Sequence, residues 1–243
     1  MDTKQAEPWN VTGGAEFIAS VVAEVEATDT TKLGTNARLI DAASGWHQAD
    51  AGSILSSHSY DAASVPNCSA PGYLNASEPS NSRGHYPLPN CASHVLFNSE
   101  FGGLCLPPYA MGLKEWFDAS HAEFFGDYKC AGWGPTHHNP TNCTAASDAC
   151  TCSHGYGVRA VKDAGNDPKG MSLIYANITS RIATELIPGG VSANIYTQTS
   201  DVETEADGLL SYDRMMKVEP AMVLKANTAL KDMAESYFRT LEV

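Results

Sequence analysis

Basic residues are sparse in this chain and nowhere clustered. Fifteen Lys and Arg stand against 28 Asp and Glu, giving a net charge of -13 and an isoelectric point near 4.9. Phosphate recognition leans on clustered Lys and Arg, so the composition speaks against a nucleic-acid partner. No apolar run approaches the ~18 residues of a membrane-crossing helix, and no membrane partner is expected. The first ten residues are polar and lack the apolar core of a signal peptide. Internal repeats and low-complexity tracts are absent as well. At 243 residues and 43% hydrophobic, the chain can nevertheless bury a sizeable core.

Two features point to an oxidising compartment. Five glycosylation sequons occur, at Asn10, Asn67, Asn75, Asn142 and Asn177. Seven cysteines (Cys68, Cys91, Cys105, Cys130, Cys143, Cys150 and Cys152) lie mostly in loop-like sequence. A zinc site built from Cys130, Cys143, Cys150 or Cys152 with His137, His138 or His154 is the alternative, but the spacings match no compact CxxC pair. Loop-stapling disulfides fit better, with the odd thiol free or paired outside the chain. No metal and no cofactor is expected. A secreted or lumenal protein without a leader also carries the expectation of an incomplete N-terminus.

Along the chain, residues 13–27 read as an amphipathic helix with Phe17, Ile18, Val21, Val22 and Val25 on one stripe. RLIDAA (38–43) reads as a strand ended by Ser44-Gly45-Trp46, and ILSSHSY (54–60) as a second strand. Residues 61–93, rich in Ser, Asn, Pro and Gly, form a long loop. Val95, Leu96 and Phe97 make a third short strand, followed by Glu100 and the turn residues Gly102 and Gly103. Beyond Pro107-Pro108 come a helix-like piece near 111–125 and a Cys- and His-rich insert reaching 169. Met171 to Ile187 is a second amphipathic helix, stopped by Pro188-Gly189-Gly190. ANIYTQT (193–199) is a fourth strand, leading into the acidic DVETEADG. A last helix, 220–240, turns Met222, Ala226, Leu230, Met233 and Tyr237 inward. Functional-looking groups at strand ends, with helices between, are the grammar of a parallel βα architecture. Only four strands are countable, whereas a closed barrel needs eight over roughly 250 residues.

The ordered set RLIDAASGW, HSY, SEFGG and YTQTSDVETEADGLLSYDR resembles the C-terminal half of the catalytic barrel of glycoside hydrolase family 2. That family contains β-galactosidase-, β-glucuronidase- and β-mannosidase-like enzymes. The likeness spans about residues 7–243, with insertions near 61–93 and 126–169. It implies an α/β fold: a partial (β/α)8 TIM barrel, roughly strands 5–8, with long Cys-rich loop insertions, forming one domain over 1–243.

The resemblance further implies a retaining O-glycosyl hydrolase acting on a carbohydrate substrate. Glu100 takes the nucleophile position. Glu7 takes the acid/base position, although Ala6 stands where the family carries an asparagine. A retaining pair needs carboxyl groups roughly 5–5.5 Å apart, one attacking the anomeric carbon and one protonating the leaving oxygen. Trp46, His58 and Tyr60 are candidates to stack on or hydrogen-bond a sugar ring, with packed core roles as the alternative. Gln198 and Asp201 are candidates for substrate hydroxyls. Glu203, Glu205 and Asp207 read as a solvated acidic loop, with calcium as the weaker alternative. Open sheet edges in half a barrel imply a partner, either the missing N-terminal half or a second copy. The contrasting reading is a catalytically silent carbohydrate-binding or interaction protein on the same barrel.

Overall fold

A computed structural model of the chain describes residues 14–42, 44, 51–60, 94–106, 161, 163–202, 207–211 and 213–241. Their order is helix α1 (Gly14–Leu33), a 3-10 turn (Gly34–Asn36), strand β1 (Ile54–His58), strand β2 (Val95–Gly102), helix α2 (Pro168–Arg181), a wide π turn (Ile182–Leu186), strand β3 (Val191–Thr197) and helix α3 (Pro220–Leu241). The three strands form one parallel sheet in the order β1-β2-β3. Helix and strand are thus mixed around a small parallel sheet, the coarse part of the expected α/β fold.

Over the described part of the expected strand at 38–43, residues 38–42, no regular strand forms. Asp41 makes an isolated parallel bridge to Ile54 and nothing more regular. Ile54 N–H donates to Ile40 O at 3.0 Å within that bridge, while Ser53 N–H shares the same carbonyl at 2.9 Å and the Ile40 N–H goes to a side chain, Ser53 Oγ, at 2.8 Å. The strand expected to stop before Glu100 instead runs through it to Gly102. Ser59 N–H donates to Glu100 O and Gly102 N–H to Tyr60 O, so backbone pairing continues past the apolar run.

Helix α2 begins earlier than its apolar periodicity shows. Asp167 caps it by accepting from Gly170 N–H at 2.7 Å, and Pro168 occupies the first turn. Its end widens because Ile187 N–H reaches Ile182 O, five residues back. The strand expected at 193–199 is shifted to 191–197, starting directly after the Gly190 turn.

The core joins Phe101, Leu104, Leu106, Val161, Met171, Tyr175, Ile178, Ile182, Leu186, Val191 and Val218. Phe101, Tyr175 and Tyr196 meet ring against ring, with centroids 5.3–6.2 Å apart, binding β2, α2 and β3 together. Gly102 makes this possible: at φ +90° it lies under the Tyr196 ring, where any Cβ would collide with the aromatic carbons. Helix α3 crosses α2 through Tyr175 Oη–H donating to Asn227 at 2.8 Å, and Ser172 Oγ accepts from Glu219 N–H at the start of α3.

Not every expected inward face is covered by the described residues. In α1 only Val22 and Asp29 are buried, while Phe17, Val21 and Val25 are exposed. In α3, Met222, Ala226, Leu230 and Tyr237 are half-buried as expected, but Met233 faces out. In α3 four of the five expected positions are half-buried, whereas of the expected stripe in α1 only Val22 is buried and Ile18 half-buried among the described residues.

Candidate functional site

Because the strands are parallel, their C-terminal ends lie at one edge of the sheet. Tyr60 follows β1, Glu100 lies near the end of β2, and Gln198 follows β3, so three of the expected residues share that rim.

Glu100 is the rim's accessible acid, its side chain about one third exposed. Tyr60 Oη–H donates to Glu100 Oε2 at 2.5 Å, and His58 Nδ1 lies 3.4 Å from the same oxygen. A bulge brings these groups together. The β1–β2 register slips between Ser57 and His58, pairing His58 with Glu100. Asn98, fully buried, stabilises the slip: its Oδ1 accepts from Ser59 N–H at 3.0 Å and its Nδ2 donates to Ser59 O at 3.3 Å. His58 is buried, and burial pushes its ionisation below the ordinary imidazole range, with the Glu100 and Asp41 charges opposing. A neutral imidazole therefore sits against the acid at neutral pH. Ser44 Oγ lies 3.3 Å from His58 Nε2 and donates to Ser99 Oγ at 3.0 Å, which fixes the far side of the ring.

The second polar group lies beyond β3. Gln198 Nε2 donates to Asp207 Oδ1 at 2.7 Å. Asp201, which the sequence offers as a substrate contact, is instead buried: its Oδ1 accepts from Lys217 Nζ at 2.6 Å and from Gly208 N–H at 2.9 Å. Asp207, expected in a solvated loop, is buried too. Burial raises both carboxyls, Asp201 to about 6, with Lys217 pulling the other way; the Glu100 charge raises Asp207 further. Burial likewise lowers Lys217, against the pull of Asp201 and Asp207.

Glu7 and Trp46 lie outside the described residues, as do Glu203, Glu205 and every cysteine except Cys105, which is fully buried. Among the described residues no cluster of three or more His, Cys, Asp or Glu is placed to hold a metal. None of their helices is long and apolar enough to cross a membrane. Sequence reasoning missed Lys217, Asn98, Ser44 and Ser99. Asn98 alone carried a signal, as an amide directly after the apolar run Val95–Phe97 and two positions before the candidate acid.

The rim can present a carboxylate to a ligand while neutral donors and a neutral ring fix its orientation. No protein-family model matches the chain, and no curated protein matches it significantly.

Proposed function

We propose that the chain is part of a retaining β-glycosidase barrel in which Glu100 is the nucleophile. The observation that carries the reading is the geometry around that one acid: an accessible carboxylate near the C-terminal end of a parallel strand, oriented by the Tyr60 hydroxyl and flanked by neutral His58. The C-terminal face is where parallel βα barrels build their active sites. A carboxylate held by a phenol, rather than neutralised by a bound cation, keeps charge for attack on an anomeric carbon.

In this mechanism Glu100 Oε1 or Oε2 forms a bond to the anomeric carbon as the bond to the leaving oxygen breaks. A second carboxyl, assigned to Glu7, gives its proton to that oxygen. Water then attacks the glycosyl-enzyme, transferring a proton to the same second carboxylate and releasing Glu100. As positive charge grows on the sugar, Tyr60 keeps one carboxylate oxygen oriented while the other reacts. Gln198 faces the sugar from the β3 side, and Trp46 is the aromatic candidate for a stacking contact.

The complete gene product, assayed on aryl β-glycosides, tests the reading. Glu100→Gln keeps the side chain's size and removes the attacking charge, and kcat is expected to fall by ~1000-fold or more, about 4 kcal/mol of barrier. Azide is expected to restore part of the turnover of Glu100→Ala, giving a product of inverted anomeric configuration. A Glu100→Gln variant within about tenfold of wild type would remove Glu100 from the role.

A further inference from the structure

Beyond β3 the chain folds into a compact polar turn that places a lysine with no exposed side-chain surface among acids. A buried ammonium is rare unless it is paired. Lys217 Nζ donates to Asp201 at 2.6 Å, pairing the buried cation with a buried carboxylate, and Asp207 is buried in the same turn. Backbone bonds knit the same groups together. Asp201 N–H donates to Leu210 O, Leu210 N–H to Thr199 O, Leu209 N–H to Gln198 O, and Lys217 N–H to Leu209 O, all at 2.9–3.0 Å. Gly208 is the close-approach point, since a Cβ there would strike the Asp201 and Ser200 backbone.

We propose that Lys217 is a positioning residue for Gln198: paired with Asp201 and bonded through its own N–H to Leu209 O, it locks the turn that sets Asp207 against the Gln198 amide and so holds that amide at the rim. The reason is the asymmetry of the hydrogen bond. An ionised carboxylate only accepts, so Asp207 takes the Nε2 end of the amide and fixes which way the group points. Protonated, Asp207 also becomes a donor, and the opposite orientation of the amide gains a partner. Lys217, through Asp201 and Leu209, holds the chain reversal that keeps Asp207 within reach of the amide, and with it a single orientation. The consequence for sugar binding rests on the glycosidase reading; the positioning of Gln198 does not.

The test combines Lys217→Met with Asp201→Asn, which removes both charges of the pair and avoids leaving a lone buried ion. In the complete gene product, kcat/KM on an aryl β-glycoside is expected to fall ~tenfold or more. The same two substitutions made on Gln198→Ala are expected to change kcat/KM less than about twofold, because the group being positioned is already gone. Lys217→Arg, which keeps the charge, is expected to retain most of the activity. Additive losses, or an unchanged kcat/KM in the doubly neutral variant, would overturn the proposal. If that variant does not fold, Asp207→Asn leaves the Lys217–Asp201 pair standing and should show the same non-additivity with Gln198→Ala. The side-chain amide resonance of Gln198 reads the clasp without turnover: it should hold its position in Lys217→Arg and move in the doubly neutral variant, and an unmoved signal also overturns the proposal. If Glu100→Gln turns over like wild type while the Gln198 signal still follows Lys217, the positioning stands and the sugar-cleaving reading falls.

Discussion

Two acidic sites lie at the same end of one small sheet, and they are built on opposite principles. Glu100 is partly open to solvent and is held by a phenol and a neutral imidazole. Asp201 is closed off and tied to a lysine that has itself left solvent entirely. An acid surrounded by neutral groups keeps its charge available to an incoming ligand, whereas an acid matched to a buried cation has spent its charge on holding chain segments together. Position at a strand's end therefore does not by itself make a carboxylate functional; the company it keeps decides. The same contrast separates Gln198, partly exposed on the rim, from the buried Asp207 behind it.

Breaking the closed site should produce the largest loss of stability. Lys217→Met leaves Asp201 buried without its cation, which typically costs 3–5 kcal/mol, about the worth of several ordinary hydrogen bonds. Denaturant titration should show a lower midpoint with little change in slope. A midpoint shift worth under about 1 kcal/mol would mean that Lys217 is not carrying the turn.

Acid should pull the two sites in opposite directions. Asp201 is raised from 3.8 to about 6, so between those values the folded chain binds its proton more readily than the unfolded chain. This group therefore adds stability as the pH falls through 6 and withdraws it as the pH rises again. His58 is lowered from 6.5, so the unfolded chain takes that proton first and stability is lost as the pH falls below 6.5. Compared with wild type between pH 7 and pH 5, Asp201→Asn should lose the gain and His58→Asn should lose the penalty. Equal pH profiles for the two variants would contradict the distinction between the sites.

A smaller effect sharpens the open site. Tyr60→Phe removes the hydroxyl from Glu100 while leaving the ring, and a hydrogen bond to a charged group is worth about 1.5–3 kcal/mol. The expected result is a kcat lower by roughly 10- to 100-fold with KM little changed, and a stability loss of no more than about 1.5–3 kcal/mol. A change confined to KM would assign Tyr60 to the sugar instead of to Glu100.

Much of the open site was legible in the sequence because its groups are close to regular elements. A short apolar run marks β2, and Glu100 follows it by three positions; a second run leads to His58 and Tyr60. The closed site was hidden because its partners depend on chain reversal. Nothing local distinguishes Lys217 in DRMMKVEP from a surface lysine, and only the return of the chain onto Asp201 buries it. The acidic composition of 201–207 suggested solvation, yet both of its aspartates are buried, Asp201 against that cation and Asp207 against Gln198. Over 38–42 local strand propensity yields one bridge to β1, with the Ile40 N–H taken by the Ser53 side chain. The stripe of α1 was legible as a pattern, but a periodic face names no neighbour, and Phe17, Val21 and Val25 stay exposed among the described residues.

Covalent trapping tests most directly whether Glu100 is the acid kept available for chemistry. A 2-deoxy-2-fluoro β-glycoside with a good leaving group should load the complete gene product and then hydrolyse slowly, because the fluorine destabilises the positive charge of both transition states while the leaving group favours the first. Peptide mass spectrometry of the trapped protein is predicted to find the sugar on Glu100, one per chain, with none on Asp201 or Asp207 and none in Glu100→Gln. A sugar carried by a different carboxylate, or hydrolysis of the parent glycoside that survives in Glu100→Gln, would contradict it.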